Sequence, residues 1–367
     1  MLETRGHRNL FYVLGLPVFL VNLYALDARR LWDSHLVRLA AIYVGYFLAA
    51  GFFGGGFDWD EIADLLRVTA LLAVFFAITV LLAAHAPRLE QRLSFWLSVT
   101  AAASLLVLFA GILGGLITPG PRLTAFGLAS HEVIGATLYG FVALLAAFVL
   151  LPRAAGWPER LLWLGIAALC TVFMVLASSR GPLLALAGTL VIGLIITDRR
   201  LALAAFALAA AALLAAVLTD FRPVTLLYER AQSGHFDLWR QALAAIAERP
   251  WFGYGSLTDI TFIGKYGPQR SPHNLLLANH IYGGLPASLL LAALLGYAVW
   301  LAFRQLLRGR AIYLIVLAYG LAASLFDSRS LLQNLGREWI TLWLPIALLA
   351  AWELRGGRAA EGSSPPS

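Results

Sequence analysis

The chain has 367 residues, 60% of them hydrophobic and only 13% charged, so lipid and not water must cover most of its surface. Its net charge of +7 is almost all arginine, with Lys265 the single lysine; in a membrane chain that excess orients loops, and no nucleic-acid partner follows from it. The single Cys170 sits inside an apolar run, which excludes an intrachain disulfide and a cysteine-based metal site.

Met1 to Arg30 has a basic start and an apolar core that reaches about Leu26. It then meets Asp27-Ala28-Arg29-Arg30 instead of a small-residue cleavage site. It reads as an uncleaved first helix, at about 9–26. Further apolar runs of bilayer-crossing length fall at about 36–54, 65–84, 93–117, 131–151, 160–178, 182–197, 200–218, 279–303, 311–326 and 339–354. The fold class is therefore all-α: a polytopic transmembrane helical bundle of about 11–12 spans. One membrane domain covers 1–355 and includes a long polar loop at 219–278. The small, polar, proline-containing segment 356–367 reads as a disordered tail.

Arginines set the orientation. One set of connections carries Arg29, Arg30, Arg38, Arg88, Arg92, Arg153, Arg160, Arg199, Arg200, Arg304, Arg308, Arg310, Arg355 and Arg358. The other, with the long loop left out, carries Arg5, Arg8, Arg67, Arg122, Arg180, Arg329 and Arg337. The richer set faces the cytoplasm, as does the C-terminus, and the long loop faces outward. The outward arginines stand mostly singly at helix ends beside Pro, Gly or Ser, so topology does not account for them.

Four stretches carry candidate chemistry. In Ala177-Ser178-Ser179-Arg180-Gly181-Pro182 one helix breaks and the next begins, with Pro in its first turn. Arg180 then lies where free N–H groups and the helix dipole favour an anion such as a diphosphate. A structural turn whose arginine pairs with an acid of the bundle is the competing reading. Pro119-Gly120-Pro121-Arg122 repeats the theme, with His131-Glu132 opening the next span; Glu132 either caps that helix or pairs with Arg122. In the long loop, Phe236 to Ile246 has helical spacing, with Leu238, Trp239, Ala242, Leu243 and Ile246 on one side of an amphipathic helix. Glu248-Arg249-Pro250 ends that helix, and Gly253-Tyr254-Gly255-Ser256 makes a tight turn.

The fourth stretch runs from Arg270-Ser271-Pro272-His273-Asn274 to Asn279-His280 and Tyr282-Gly283-Gly284. His273, titrating near neutral pH, suits a general base at a bundle mouth beside Arg270. A purely structural histidine is the alternative. His280, two turns further on, is a candidate for the same cavity. A competing site, Asp58-Trp59-Asp60-Glu61 with Asp64, has the Asp-x-Asp form that holds divalent metal in many sugar transferases, but a helix cap explains it more simply.

In this order these pieces resemble the O-antigen ligase superfamily, which includes lipopolysaccharide O-antigen ligases, Wzy-type polysaccharide polymerases and bacterial protein O-oligosaccharyltransferases. The resemblance runs from about Arg122 to Gly284. It rests on the Ser179-Arg180-Gly181 turn with Leu183-Leu184, on Trp239, Ala242-Leu243, Ile246, Pro250 and Gly253-Tyr254-Gly255 in the loop, and on His273-Asn274 with Gly284.

The resemblance implies an inverting glycosyltransferase of the bacterial inner (cytoplasmic) membrane with its active site facing the periplasm. It implies a glycan donor on undecaprenyl diphosphate and no metal, nucleotide or other cofactor. Carried over position by position, Arg180 and Arg122 hold the diphosphate, with Arg270 beside them, and His273 acts on the acceptor hydroxyl. The sequence departs from the family where an arginine usually precedes the loop tryptophan: it reads Ser233-Gly234-His235-Phe236. Arg240, Arg230 or His235 are the substitutes, and Asn274 and His280 are further possible contacts. The expected activity is that of an O-antigen ligase acting on lipid A–core oligosaccharide. A polymerase that extends the glycan on its carrier remains the alternative. A lipid-linked glycan transporter without bond-making is less favoured, because it predicts paired repeats and none is visible.

Overall fold

The computed structural model describes residues 28–53, 59–86, 88–197, 235–264, 267–332 and 336–361, with the isolated positions 17 and 21. The predicted spans at 9–26 (those two positions apart) and 200–218, the loop before His235, and Arg230, Asp58 and the tail beyond Glu361 lie outside the described residues.

The remaining spans are helices. They are α1 (His35–Ala50), α2 (Trp59–His85), α3 (Leu89–Leu113), α4 (Glu132–Leu145, continued by wider and tighter turns to Arg153), α5 (Trp157–Leu176) and α6 (Arg180–Thr197). After the loop helix α7 (His235–Glu248) come α8 (Leu275–Leu306), α9 (Ile312–Phe326) and α10 (Leu344–Glu361), the last entered through a π turn at Trp339–Trp343. Among the described residues six helices are long and apolar enough to cross a bilayer: α2, α3, α4 with its continuation, α5, α6 and α8. α1 and α9 are shorter apolar helices.

Local chemistry accounts for the ends. The Ser34 hydroxyl accepts from Val37 N–H at 3.2 Å and opens α1. Asp60 and Glu61 occupy the first turn of α2, where the helix dipole favours acids, and Asp64 pairs with Arg67 one turn on. Pro lies in the first turn of both α5 and α6, where a missing N–H costs nothing.

The chain divides into two compact units. One holds α1, α2, the loop from α7 onward, α8 as far as Ala302, and α10. There α2 packs along α10, with Phe75 against Trp339 and Phe76 edge-on to Trp343 at ring separations of 5.3 and 5.6 Å. Glu353 of α10 ties the helix ends together: it accepts from Ser34 Oγ (2.6 Å), Leu36 N–H (3.3 Å) and Tyr297 Oη (2.6 Å). The other unit holds α3 to α6 and most of α9, with α4 packed on α5 and α6. Gly140 lets the Tyr319 ring lie against α4, and the Tyr319 hydroxyl donates to Thr137 O at 2.9 Å.

Four details differ from the expectation. The loop contains a small antiparallel hairpin, β1 (Phe262–Gly264) and β2 (Gly267–Gln269), which pairs Phe262 with Gln269 and Ile263 with Pro268. Proline is tolerated there because both strands are edges. The buried side of α7 is Leu238 and Ala242, facing β1, while Leu243 is exposed. The span at 279–303 is two helices joined at Gly284, whose φ of 67° and ψ of −162° are not helical. Finally, α10 runs to Glu361.

Candidate active site

The kink at Gly284 organises the loop. Breaking α8 there frees the carbonyls of Ile281 and Tyr282 and the N–H of Leu285. The loop takes all three: Tyr254 N–H donates to Ile281 O (2.8 Å), Gly255 N–H to Tyr282 O (3.1 Å), and Leu285 N–H to Pro250 O and Trp251 O (both 3.1 Å). Gly253 and Gly284 both have positive φ, and a Cβ on either would overlap main-chain atoms of the other segment. His280 belongs to this joint. Its Nε2 meets Pro250 O of the loop at 3.1 Å, and its Nδ1 meets Ser288 Oγ at 3.0 Å across the kink of α8. On the other side of the turn, Ser256 donates through N–H to Ala50 O and through Oγ to Phe47 O, satisfying carbonyls at the end of α1.

His273 stands two to three turns before this joint, at the mouth of α8. Asn274 caps the helix: its Oδ1 accepts from Leu276 N–H (3.0 Å) and Leu277 N–H (3.1 Å). Asn274 thus spends its carboxamide oxygen on structure. His273 has φ +54°, a left-handed conformation unusual outside glycine and asparagine. The Ser271 hydroxyl accepts its backbone N–H at 3.1 Å, and Trp239 Nε1 of α7 donates to Pro272 O at 3.1 Å. The loop helix therefore holds the strained turn. α7 is in turn fixed to the hairpin by Gln241, whose carboxamide exchanges two hydrogen bonds with Ile263 (2.8 and 2.9 Å), as a neighbouring strand would. His235 lies edge-on to His273 at 5.8 Å between ring centres.

The imidazole of His273 has a partner at each nitrogen. Nδ1 is 2.6 Å from Asp327 Oδ1, and Nε2 is 3.3 Å from the Gln269 carboxamide at the end of β2. Asp327 uses its other oxygen on Arg337, at 2.7 Å from Nη1; Arg337 Nε reaches Glu338 Oε1 at 2.9 Å, and Ser328 Oγ donates to that same oxygen at 3.1 Å. Arg337 is only 9% exposed and Glu338 4%. Burial alone would push the Asp327 carboxyl up. The Arg337 charge and the hydrogen bonds from His273 and Arg337 more than reverse that, and hold it well below the usual carboxylate range.

An ionised Asp327 requires the proton on His273 Nδ1, which leaves the Nε2 lone pair for chemistry. Gln269 presents its Oε1 to Nε2 at 3.3 Å, and a flip of the carboxamide brings its amide nitrogen to that lone pair as donor. Two carboxylates, Asp327 and Glu338, face one guanidinium, so the cluster carries one excess negative charge until His273 accepts a proton.

Arg270, three residues earlier, points elsewhere. Its Nη1 lies 3.9 Å from Asp259 Oδ2, and Arg329 Nη2 lies 3.5 Å from Asp259 Oδ1. The Arg329 guanidinium stacks over the Tyr282 ring at 5.5 Å, and the Tyr282 hydroxyl donates to Arg270 O at 3.1 Å. Arg240 is exposed on α7.

Arg122 and Arg180 belong to the other unit. Arg122 Nε donates to Ala177 O at 3.0 Å at the carbonyl end of α5, and its Nη1 pairs with Glu132. With Leu123 N–H on Leu176 O (3.2 Å), this binds the 119–125 segment to that helix end, so Arg122 carries a structural load. Ser178 has φ +50° in the same turn, and Arg180 is the first residue of α6, as the Gly-Pro break implied.

Sequence reasoning missed Asp327, Gln269 and Asp259, and named Arg329 and Arg337 only among the outward arginines that topology leaves unexplained. The available signal was Asp327 between two apolar runs: an acid at membrane depth needs a partner, and 54 residues separate it from His273.

Repeated bilayer-length helices and a polar, histidine-bearing loop docked into a broken span define a multi-pass helical membrane protein. The family profile described as O-antigen ligase matches residues 165–292, which span the Arg180 turn, the loop, His273 and Gly284. The O-antigen ligase of Pseudomonas aeruginosa strain PAO1 is 29% identical over 359 residues, covering 94% of this chain and 84% of that one. The chain is thus similar to O-antigen ligases, through the profile over residues 165–292 and through this relative along most of its length.

Proposed function

We propose that the chain is an O-antigen ligase of the inner membrane. It moves a glycan from undecaprenyl diphosphate to lipid A–core oligosaccharide at the periplasmic face. The observation that carries this reading is the Asp327 carboxylate 2.6 Å from His273 Nδ1, which favours the tautomer protonated there and Nε2 as the basic nitrogen. Similarity to the O-antigen ligase of Pseudomonas aeruginosa over 94% of this chain supports the ligase reading.

In this reading His273 Nε2 removes the proton of the acceptor hydroxyl as its oxygen attacks the anomeric carbon. The bond from that carbon to the diphosphate oxygen breaks on the opposite face, and the leaving group keeps the electron pair. The proton enters a cluster with one excess negative charge, which favours the imidazolium in the transition state. Asp327 stays ionised throughout and orients the ring. The charge growing on the diphosphate is met by guanidinium groups, with Arg270, three residues from His273, in that role. Each fixed donor aimed at developing charge is worth about 3–4 kcal/mol in a water-poor site. No metal takes part, so EDTA leaves transfer unchanged.

The test is the lipopolysaccharide gel of a strain lacking the protein. A ligase predicts loss of all long chains from lipid A, with full-length polymer accumulating on the carrier. A single repeat on lipid A would mean a polymerase, and normal long chains would end both readings.

A further inference from the structure

We infer that Arg270 and Arg329 form a guanidinium clamp for the donor's diphosphate, and that Asp259 is its exchangeable internal counter-ion. The inference rests on the proposed diphosphate donor and adds two residues to its site, Arg329 and Asp259.

Two arginines from distant segments converge on one carboxylate, yet neither bonds it well. The separations are 3.5 Å for Arg329 and 3.9 Å for Arg270. A charge-assisted hydrogen bond runs at about 2.7–2.9 Å, which is what Asp327 and Arg337 achieve at 2.7 Å within the same inter-helix segment. Exposure separates the two cases in the same way. Asp259 is 57% exposed, Arg270 76% and Arg329 39%, against 23% for Asp327 and 9% for Arg337. The inner pair is locked; the outer trio is loose and solvated, and such pairs hold little energy.

The arginines are nevertheless well placed. Arg329 follows the His273 partner Asp327 by two residues and lies over the Tyr282 ring. Arg270 precedes His273 by three residues, with its carbonyl held by the Tyr282 hydroxyl. Tyr282 thus braces both sides. Two guanidinium charges against one carboxylate leave the trio positive. A diphosphate brings at least two negative charges and enough oxygens for each planar fork to bind in two places. It outcompetes a carboxylate held at 3.5 and 3.9 Å.

The test uses full-length protein in detergent and inorganic pyrophosphate as probe, measured by titration calorimetry. Arg329→Ala weakens pyrophosphate binding about tenfold or more, as loss of charge-assisted bonds does. Arg329→Lys, which keeps the charge but not the fork, falls between it and the parent. Asp259→Asn, which removes the competitor and keeps the shape, tightens binding about two- to fivefold. The donor KM in the transfer assay moves in the same directions. No pyrophosphate binding by the parent, equal binding by all variants, or weaker binding by Asp259→Asn overturns the clamp. If Arg329→Ala transfers glycan with an unchanged donor KM, the clamp fails and the ligase reading survives. If the variants follow the expected binding order but the parent transfers nothing to lipid A–core, the clamp survives and the ligase reading fails.

Discussion

Asp327 divides its two oxygens between His273 and Arg337, at 2.6 and 2.7 Å, so one carboxylate links the candidate base to the start of the last span. Asp327→Asn keeps the shape but offers an amide where the imidazole needs an acceptor. That favours the tautomer with its proton on Nε2, where the acceptor hydroxyl must be deprotonated. The expected loss of kcat is about 10²-fold or more, with the protein still inserted and accumulated. A purified transfer assay reads it.

Arg337→Leu is expected to act on stability first. It leaves Asp327 and Glu338 buried without their shared cation, which costs about 3–5 kcal/mol for a buried pair broken from one side. The unfolding temperature in detergent drops well below that of Asp327→Asn. Equal unfolding temperatures would mean that the pair contributes no stability.

The pH dependence follows from the lowered pKa of Asp327. An acid whose folded pKa lies below its unfolded one stabilises the fold above the unfolded value, about 3.9, and loses that contribution as pH falls through the folded value. The stability gap between the parent and Asp327→Asn is therefore flat from pH 8 to about pH 5 and closes only in stronger acid. Paired unfolding curves across that range check it. A gap that closes between pH 7 and pH 5 would place the titration on another group.

Gly253 and Gly284 carry the joint that sets the loop on α8. Alanine at either adopts positive φ at a cost of about 1–2 kcal/mol, and its Cβ meets main-chain atoms that cannot step aside. Each single variant is expected to lose the docked loop, seen as rapid protease cleavage between 250 and 270, together with transfer.

His280→Ala separates the two histidines of the fourth stretch. It removes bonds to Pro250 O and Ser288 Oγ and touches nothing at His273. A stability loss of about 1–2 kcal/mol with activity within about tenfold of the parent is expected.

The parts of this molecule that could be read from sequence are those set by nearby residues. Bilayer-length apolar runs marked α2 to α6, Gly-Pro marked the start of α6, and Pro250 with the Gly253–Gly255 turn marked the end of α7. The hairpin escaped because three-residue strands containing Gly and Pro have no readable alternation. Leu243 was placed on the wrong side because the partner of α7 is that hairpin, which only the fold supplies. The apolar periodicity of α8 runs straight through Gly284, so its break became visible only when the loop carbonyls and N–H groups found their partners. His273 was legible as a lone polar residue at a helix mouth. Asp327 was not tied to it, since nothing local links residues 54 apart.

The most direct test of His273 as the base is transfer by purified full-length His273→Ala with polymer on undecaprenyl diphosphate as donor and lipid A–core as acceptor. The account predicts a fall of about 10³-fold or more in kcat, with the donor KM within a few-fold of the parent and the unfolding temperature little changed. Transfer by His273→Ala at the parent's rate would contradict it.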